Sequence, residues 1–202
     1  MKRKMMKYLC TLLSVVLLLS IVLCGCDDND SRGNAAKMTA EDFISSFEKA
    51  GYKMTFDSDY VEDLQEEIES IGGIEKMVAY TGDGEESVSD SKVESYIEFY
   101  YVKCADEETA ITVYDALMYE MMPDDIETIY SGDHKEKARG FSSGYNDYYG
   151  YYQGSYFAWC DTLSRNKNIV VFLEVDLDVD TTVGSSVLYT TKAMKAVEKL
   201  GF

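Results

Sequence analysis

Histidine, proline and tryptophan are nearly absent from this chain, and basic residues are scarce. The 202 residues include one His, one Pro and one Trp, and 19 Lys and Arg stand against 37 Asp and Glu, for a formal charge of −18. The lone His134 does not give the Cys/His spacing of a zinc site. Nucleic acid and anionic membrane surfaces would repel a chain this acidic. Nucleic-acid binding is therefore excluded as a function.

The chain also lacks a hydrophobic run of the length that a membrane-spanning helix needs. Its longest apolar stretch covers residues 8–23, against roughly 20 residues for a helix that crosses about 30 Å of hydrocarbon. Four basic residues in residues 1–7 precede this stretch and small residues follow it, which is the order of a secretory signal. We therefore predict a signal peptide over residues 1–25.

The end of this leader reads Leu23-Cys24-Gly25-Cys26, which resembles the lipobox of bacterial lipoproteins. In that motif an apolar residue stands three positions before the modified Cys and a small residue directly before it. Cys26 fits the motif, whereas Leu23 directly before Cys24 fits it badly. The resemblance implies a diacylglyceryl thioether on Cys26 and cleavage after Gly25. The alternative is an uncleaved anchor helix with incidental cysteines.

The layout of the whole chain is similar to that of small, uncharacterised lipoproteins of Gram-positive anaerobic bacteria. A leader and lipobox are followed by a polar stretch over residues 26–38 and then by a patterned region over residues 39–202. The resemblance implies lipid anchoring at the extracytoplasmic face of the plasma membrane, and it carries no activity. We expect residues 26–38 to form a flexible acidic tether and residues 39–202 to form one folded domain.

The spacing of apolar residues predicts an α+β domain. Helices are expected over about 40–50, 59–71, 106–121 and 182–200, and hairpin strands precede the last two of them, so that strand, strand, helix occurs at about 76–121 and 148–200. This order favours an antiparallel sheet of about four to six strands with helices mainly on one face, and a ββα pseudo-repeat is a hypothesis. Residues 124–147 are expected to form an exposed loop.

Two cysteines remain for the folded domain. Cys104 and Cys160 each stand at the end of a predicted strand, and exported proteins form disulfides readily. A bridge requires Cα atoms within about 7 Å, which the sequence leaves open.

Two short patterns invite a catalytic or metal-binding interpretation, and neither fits. Residues 140–144 match G-x-S-x-G, but no strand-to-helix turn is predicted there and His134 lies upstream of the serine. Asp176, Asp178 and Asp180 alternate like calcium ligands, but Thr181 replaces the required Gly and Val187 replaces the bidentate Glu. A weak, irregular calcium site is the alternative to a strand with one polar face. The sequence thus predicts no catalytic residue, no metal ligand and no cofactor.

The segment 144–160 concentrates tyrosines and holds the only tryptophan. Tyr148, Tyr152 and Tyr156 are expected on one strand face and Trp159 on the other. The rings either form aromatic pairs inside a covered sheet or present a binding platform. The preferred function is a non-enzymatic binding module for a protein partner, glycan or peptide. The alternatives are a hydrolase that uses carboxylates and an accessory subunit of a membrane complex.

Overall fold

Seven antiparallel strands form one sheet, and α-helices cover both of its faces. The computed structural model describes residues 35–68, 70–88, 91–123, 126–146 and 155–202, and residues 34–202 form one compact unit. The predicted leader, Cys26 and most of the tether lie outside the described residues, and Ala35–Lys37 form a short 3-10 helix. The helices are α1 (Ala40–Ala50), α2 (Ser58–Ile68), α3 (Glu107–Glu120), α4 (Ser185–Leu188) and α5 (Lys192–Glu198). The strands are β1 (Lys53–Phe56), β2 (Ile74–Val88), β3 (Ser91–Cys104), β4 (Ile126–Gly132), β5 (Lys135–Asn146), β6 (Ser155–Asn166) and β7 (Ile169–Leu177), in the spatial order β1-β2-β3-β7-β6-β5-β4.

Local capping signals fix the first long helices where the sequence predicts them. The backbone N–H of Thr39 donates to the Asp42 carboxylate at 2.8 Å, and Gly51 ends α1 with a left-handed φ of 103°, a conformation that favours glycine. Asp106 caps α3 by accepting from the Thr109 N–H at 2.8 Å. The prediction of α1 and α3 is confirmed.

Each face of the sheet has its own hydrophobic core. Ile97, Phe99 and Tyr101 of β3 pack with α1, α4 and α5 on one face, which we call the α1 face. Tyr100 and Val102 pack with α2 and α3 on the opposite face, which we call the α3 face. The predicted shared face of Ile97, Phe99 and Tyr101 is confirmed.

The α+β class and the antiparallel sheet are confirmed, and two finer expectations need correction. The sheet has seven strands among the described residues rather than four to six, and helices lie on both faces rather than mainly on one. The physical reason is the central strand β7, whose residues from Ile169 to Leu173 are all buried. A strand that is apolar on both sides needs a cover on both sides.

The two ββα segments of the proposed pseudo-repeat are not related by a twofold axis. The helix that follows β3 packs on the α3 face, whereas the helices that follow β7 pack on the α1 face. Because β3 and β7 are antiparallel neighbours, a twofold axis between them would place both helices on the same face. The two halves share the order of their elements and no twofold relation.

Within the expected loop at 124–147, residues 126–146 form a β-hairpin instead. Strand β5 pairs along its whole length with β6, from Lys135 opposite Asn166 to Asn146 opposite Ser155, and β4 forms the sheet edge beside it. Charged and glycine-rich residues give this segment little strand propensity, and pairing with β6 overrides that weak preference.

The expected last helix at 182–200 is two short helices. Gly184 precedes α4 as its N-cap, and the side chain of Thr191 caps α5 by accepting from the Met194 N–H. Asp180 therefore lies in the loop before α4 and caps neither helix.

Candidate functional site

Three acidic side chains lie side by side across the middle of the α3 face. Glu98 of β3 is directly opposite Glu174 of β7, and Glu174 is directly opposite Asp161 of β6. We call these three residues the carboxylate row. Neighbouring strands are only about 4.8 Å apart, so like charges at opposed positions destabilise the sheet. Within the described part of the chain, no Lys, Arg or His forms an ion pair with the row.

Two tyrosines donate hydrogen bonds to Glu98 at one end of the row. Tyr60 of α2 donates to Glu98 Oε1 at 2.7 Å, and Tyr100 donates to Oε2 at 3.3 Å. The two rings meet edge to face with centroids 5.9 Å apart. The bond to Glu98 is the largest cause of a raised pKa at Tyr60, whereas burial is the largest cause at Tyr100. Both hydroxyls therefore remain donors over the ordinary pH range.

The other two members of the row both have raised pKa values. Burial raises the pKa of both Asp161 and Glu174, and the neighbouring carboxylates raise both further. The hydrogen bond between them lowers the pKa of Asp161 and raises that of Glu174. Both carboxyl groups therefore hold a proton more readily than an exposed acid does.

Asp161 is the most buried carboxylate of the row. Its side chain is 3 % exposed, and its Oδ1 atom has no hydrogen-bond partner. A buried acceptor without a donor costs about 1–3 kcal/mol. Such a group in a folded protein needs an explanation beyond packing.

A second row of side chains lies beside the first on the same face. Tyr96 of β3 is opposite Asp176 of β7, and Asp176 is opposite Trp159 of β6. Burial and then Glu98 raise the pKa of Asp176. A carboxylate thus stands between two aromatic residues, directly next to the carboxylate row. We call Tyr96, Asp176 and Trp159 the aromatic row.

An open cleft of about 710 Å³ adjoins the aromatic row at this end of the sheet. Tyr96, Phe157 and Asp176 contribute to its lining, together with Tyr156. The rings of Phe157 and Trp159 are 4.9 Å apart. Of the two rows, Tyr96 and Asp176 line the cleft, whereas Glu98, Asp161, Glu174 and Trp159 are not among its lining residues.

The proposed aromatic platform is only partly described. Tyr148 and Tyr152 lie outside the described residues, so their share in a binding face stays a prediction. Tyr156 is 39 % exposed and follows the strand parity of Ala158 and Cys160, which pack on the α1 face, whereas Trp159 lies on the α3 face. Tyr156 and Trp159 therefore do not share a face, as the alternation of side chains predicts.

The sequence interpretation missed the carboxylate row. With 37 acids in the chain, no single one stood out. A signal was nevertheless present, because Glu98, Glu174 and Asp161 each interrupt a strongly apolar strand in the segments YIEFY, VFLEV and AWCDTL. An acid inside an otherwise buried strand is rare unless it is paired or functional.

The two cysteines of the domain are free thiols. Cys104 lies in the core of the α3 face and Cys160 in the core of the α1 face. The bridge that the sequence left open is therefore not formed, because the sheet itself separates the two sulfur atoms. Burial raises the pKa of Cys104 to about 11 and that of Cys160 further still, so neither thiol is a ready nucleophile.

The catalytic and calcium patterns have structural roles. Residues 140–144 run within β5, so there is no strand-to-helix elbow, and the Ser143 hydroxyl accepts from the Val183 N–H at 3.1 Å. Asp178 and Asp180 are exposed, while Asp176 belongs to the aromatic row. Among the described residues, no group of three or more His, Cys, Asp or Glu side chains has the geometry of a metal site.

Comparison with protein-family models, with curated proteins and with solved structures finds no match to this chain. In the described part of the chain, no helix combines the length and the apolar character needed to cross a membrane.

Proposed function

We propose that this chain is a lipid-anchored extracytoplasmic binding module and that the carboxylate row and the aromatic row together form its ligand site. The sequence supports the anchor, because the leader ends in a lipobox-like segment at Cys26. Carboxylates without a basic partner stand next to aromatic residues on this face, and Tyr96 and Asp176 also line an open cleft; both observations support the binding function. A protein surface concentrates such groups where it recognises a ligand.

The observation that carries the proposal is that no Lys, Arg or His of the described residues forms an ion pair with the row. Glu98, Asp161 and Glu174 occupy directly opposed positions, and one of them keeps a buried oxygen without a hydrogen bond. An ordinary structural sheet would replace at least one acid by a neutral or basic residue, because the arrangement lowers stability. A ligand that satisfies these groups explains why they are together.

Trp159 gives a direct test of binding, because it is the only tryptophan of the chain and lies in the aromatic row. The full chain in detergent is titrated with a panel of neutral oligosaccharides, neutral peptides, acidic peptides and basic peptides, and the Trp159 emission is followed. We expect a saturable change with at least one class. A flat response of both the emission and the melting temperature over the whole panel would reject the binding function.

The anchor has its own test in intact mass and fractionation. The wild-type chain, expressed in a Gram-positive host, is expected in the membrane fraction with a diacylglyceryl group on Cys26 and without residues 1–25. Cys26→Ala is expected to abolish the modification. An unprocessed wild-type chain in the membrane fraction, with Cys26→Ala behaving identically, would contradict the lipoprotein assignment and favour an uncleaved anchor.

A hydrolase that uses carboxylates is the second candidate, and one observation favours it. Burial and the neighbouring acids raise the pKa of both Asp161 and Glu174, as happens in catalytic carboxyl pairs. A directly hydrogen-bonded pair is too close for a glycosidase, whose carboxyl groups stand about 5 Å or more apart. Asp161 is also almost completely buried. Turnover of peptide or glycan substrates between pH 5 and 8, lost in Glu174→Gln, would establish this alternative.

A further inference from the structure

We propose that the site binds the primary ammonium group of an alkylamine, carried either by a lysine side chain or by a small polyamine. The proposal rests on the binding function of the α3 face and names the chemical class of its ligand. The carboxylate row supplies the acceptors, and the aromatic row supplies the rings that flank the cation.

Charge complementarity is the first argument. Four carboxylates meet on one face, namely Glu98, Asp161, Glu174 and Asp176, and none of them pairs with a Lys, Arg or His of the described residues. Other acids on the sheet do have a basic partner, since Glu127 binds Arg139 at 2.8 Å and Glu136 binds Arg165 at 2.8 Å. An anionic ligand would meet only repulsion at the four unpaired acids, and a cation removes the repulsion among them.

Hydrogen-bond complementarity is the second argument. Asp161 Oδ1 is a buried acceptor without a donor, and tyrosine donors already occupy both oxygens of Glu98. The acceptor that lacks a hydrogen-bond donor therefore lies at the Asp161 end of the row. An ammonium group carries three N–H donors and no acceptor, so it can bond to Asp161 and Glu174 on adjacent strands at the same time.

The flanking rings are the third argument. Tyr96 and Trp159 stand on either side of Asp176 in register, and Trp159 is in contact with Phe157. Cations bind favourably over aromatic faces, with tryptophan the strongest partner. The same rings cover the alkyl stem of an amine, which a compact metal ion lacks. The described residues also form no metal site, so an organic cation fits the arrangement better than an inorganic one.

The test measures amine binding by Trp159 emission on the full chain in detergent at pH 7.5. The probes are spermidine, a Lys-Lys dipeptide blocked at both ends, the same dipeptide with both ε-amines acetylated, and a neutral hexasaccharide. We expect saturable binding of spermidine or of the blocked dipeptide, at least tenfold weaker binding of the acetylated dipeptide, and weaker binding at higher salt. The probe that binds more tightly identifies the source of the amine.

Variants localise the binding. Glu174→Gln and Asp161→Asn each remove one acid of the row and are expected to weaken amine binding at least tenfold. Glu48→Gln removes the same charge from the exposed surface of α1, which packs on the opposite face, and it is expected to change affinity less than twofold. Circular dichroism and a melting curve establish that each variant is folded, and the two row variants must agree with each other.

Three other outcomes would contradict the inference that the site binds an ammonium group. If Glu174→Gln and Glu48→Gln weaken binding equally, the amine responds only to net charge. If the acetylated dipeptide or the hexasaccharide binds as tightly as the free amine, and the row variants abolish that binding, then the binding function stands and the ammonium class is wrong. If none of the probes alters the emission or the melting temperature, the ammonium class is wrong, and the wider panel of neutral, acidic and basic ligands decides whether the binding function also fails.

Discussion

Replacing Glu174 by Gln makes the stability of this protein less sensitive to pH. Glu174 belongs to the carboxylate row, and burial and then the charge of Asp161 raise its pKa from 4.5 to about 8. Below about pH 4 the carboxyl groups carry their protons in both the folded and the unfolded chain. Between that pH and the raised pKa, only the folded chain keeps the proton. The free energy of unfolding therefore falls as the pH rises through this window.

The size of the effect follows from the shift of the pKa. One pKa unit corresponds to about 1.4 kcal/mol, so Glu174 titrating alone would contribute about 5 kcal/mol. Because Asp161 and Glu174 titrate as a coupled pair and the face is partly open to solvent, we expect about 1–2 kcal/mol. Glu98 and Asp176 face the same pair and act in the same direction, while Tyr60 and Tyr100 donate to Glu98 and stay neutral.

The assay is urea denaturation of the wild-type chain, Glu174→Gln and Glu48→Gln at pH 5, 6, 7 and 8.5. At pH 5 the pair of the wild-type chain is already protonated, so Glu174→Gln is expected to be about as stable as the wild type. At pH 8.5 the variant is expected to be more stable by about 1–2 kcal/mol, because the neutral amide still donates to Asp161 without adding charge. Glu48→Gln should follow the wild type throughout. The reasoning would be refuted if the difference between Glu174→Gln and the wild type were the same at pH 5 and pH 8.5.

Three further predictions concern the core and the thiols. Phe43→Ala removes a ring with no exposed surface and is expected to cost about 3–5 kcal/mol in urea denaturation. Gly84→Ala places a Cβ 2.7 Å from the Tyr52 ring, so we expect a loss of about 1–3 kcal/mol from overpacking, measured in the same way. Cys104 and Cys160 are expected to resist alkylation in the folded chain and to react fully after unfolding without reductant, as counted by mass spectrometry.

Matched controls make these three predictions decisive. Gly72→Ala is the control for the glycine variant, because a Cβ at that position meets nothing within 4 Å; equal costs at the two glycines would contradict the packing argument. A cost below about 1 kcal/mol for Phe43→Ala would contradict a closed core on the α1 face. Thiols that react after unfolding only when reductant is present would contradict the separation of the two cysteines.

Local sequence signals, namely helix caps and the alternation of apolar residues, predicted a large part of the fold. Thr39, Gly51 and Asp106 act within one turn of the chain, so the sequence was sufficient to place α1 and α3. The alternation of Ile97 and Phe99 with polar neighbours was sufficient to orient β3. By contrast, the β4–β5 hairpin depends on pairing with β6, and weak local propensity gave no sign of it.

The carboxylate row could not be predicted from the sequence, because it too depends on strand pairing. Each acid of the carboxylate row comes from a different strand, and only the register of β3, β7 and β6 brings Glu98, Glu174 and Asp161 to opposed positions. A shift of one residue in any pairing would turn one acid to the other face. The sequence could show that acids interrupt apolar strands, but it could not show that these interruptions coincide.

The sequence by itself determined the acidity of this protein, its α+β class and the ends of its first long helices. It also led to the expectation of a lipid anchor at Cys26. These features follow from composition and from contacts between near neighbours along the chain. The tertiary structure alone decided that helices cover both faces, that the two cysteines lie apart, and that acids and rings from three strands meet at one site. Those features depend on strand register and on which face each helix covers, and contacts between distant parts of the chain set both.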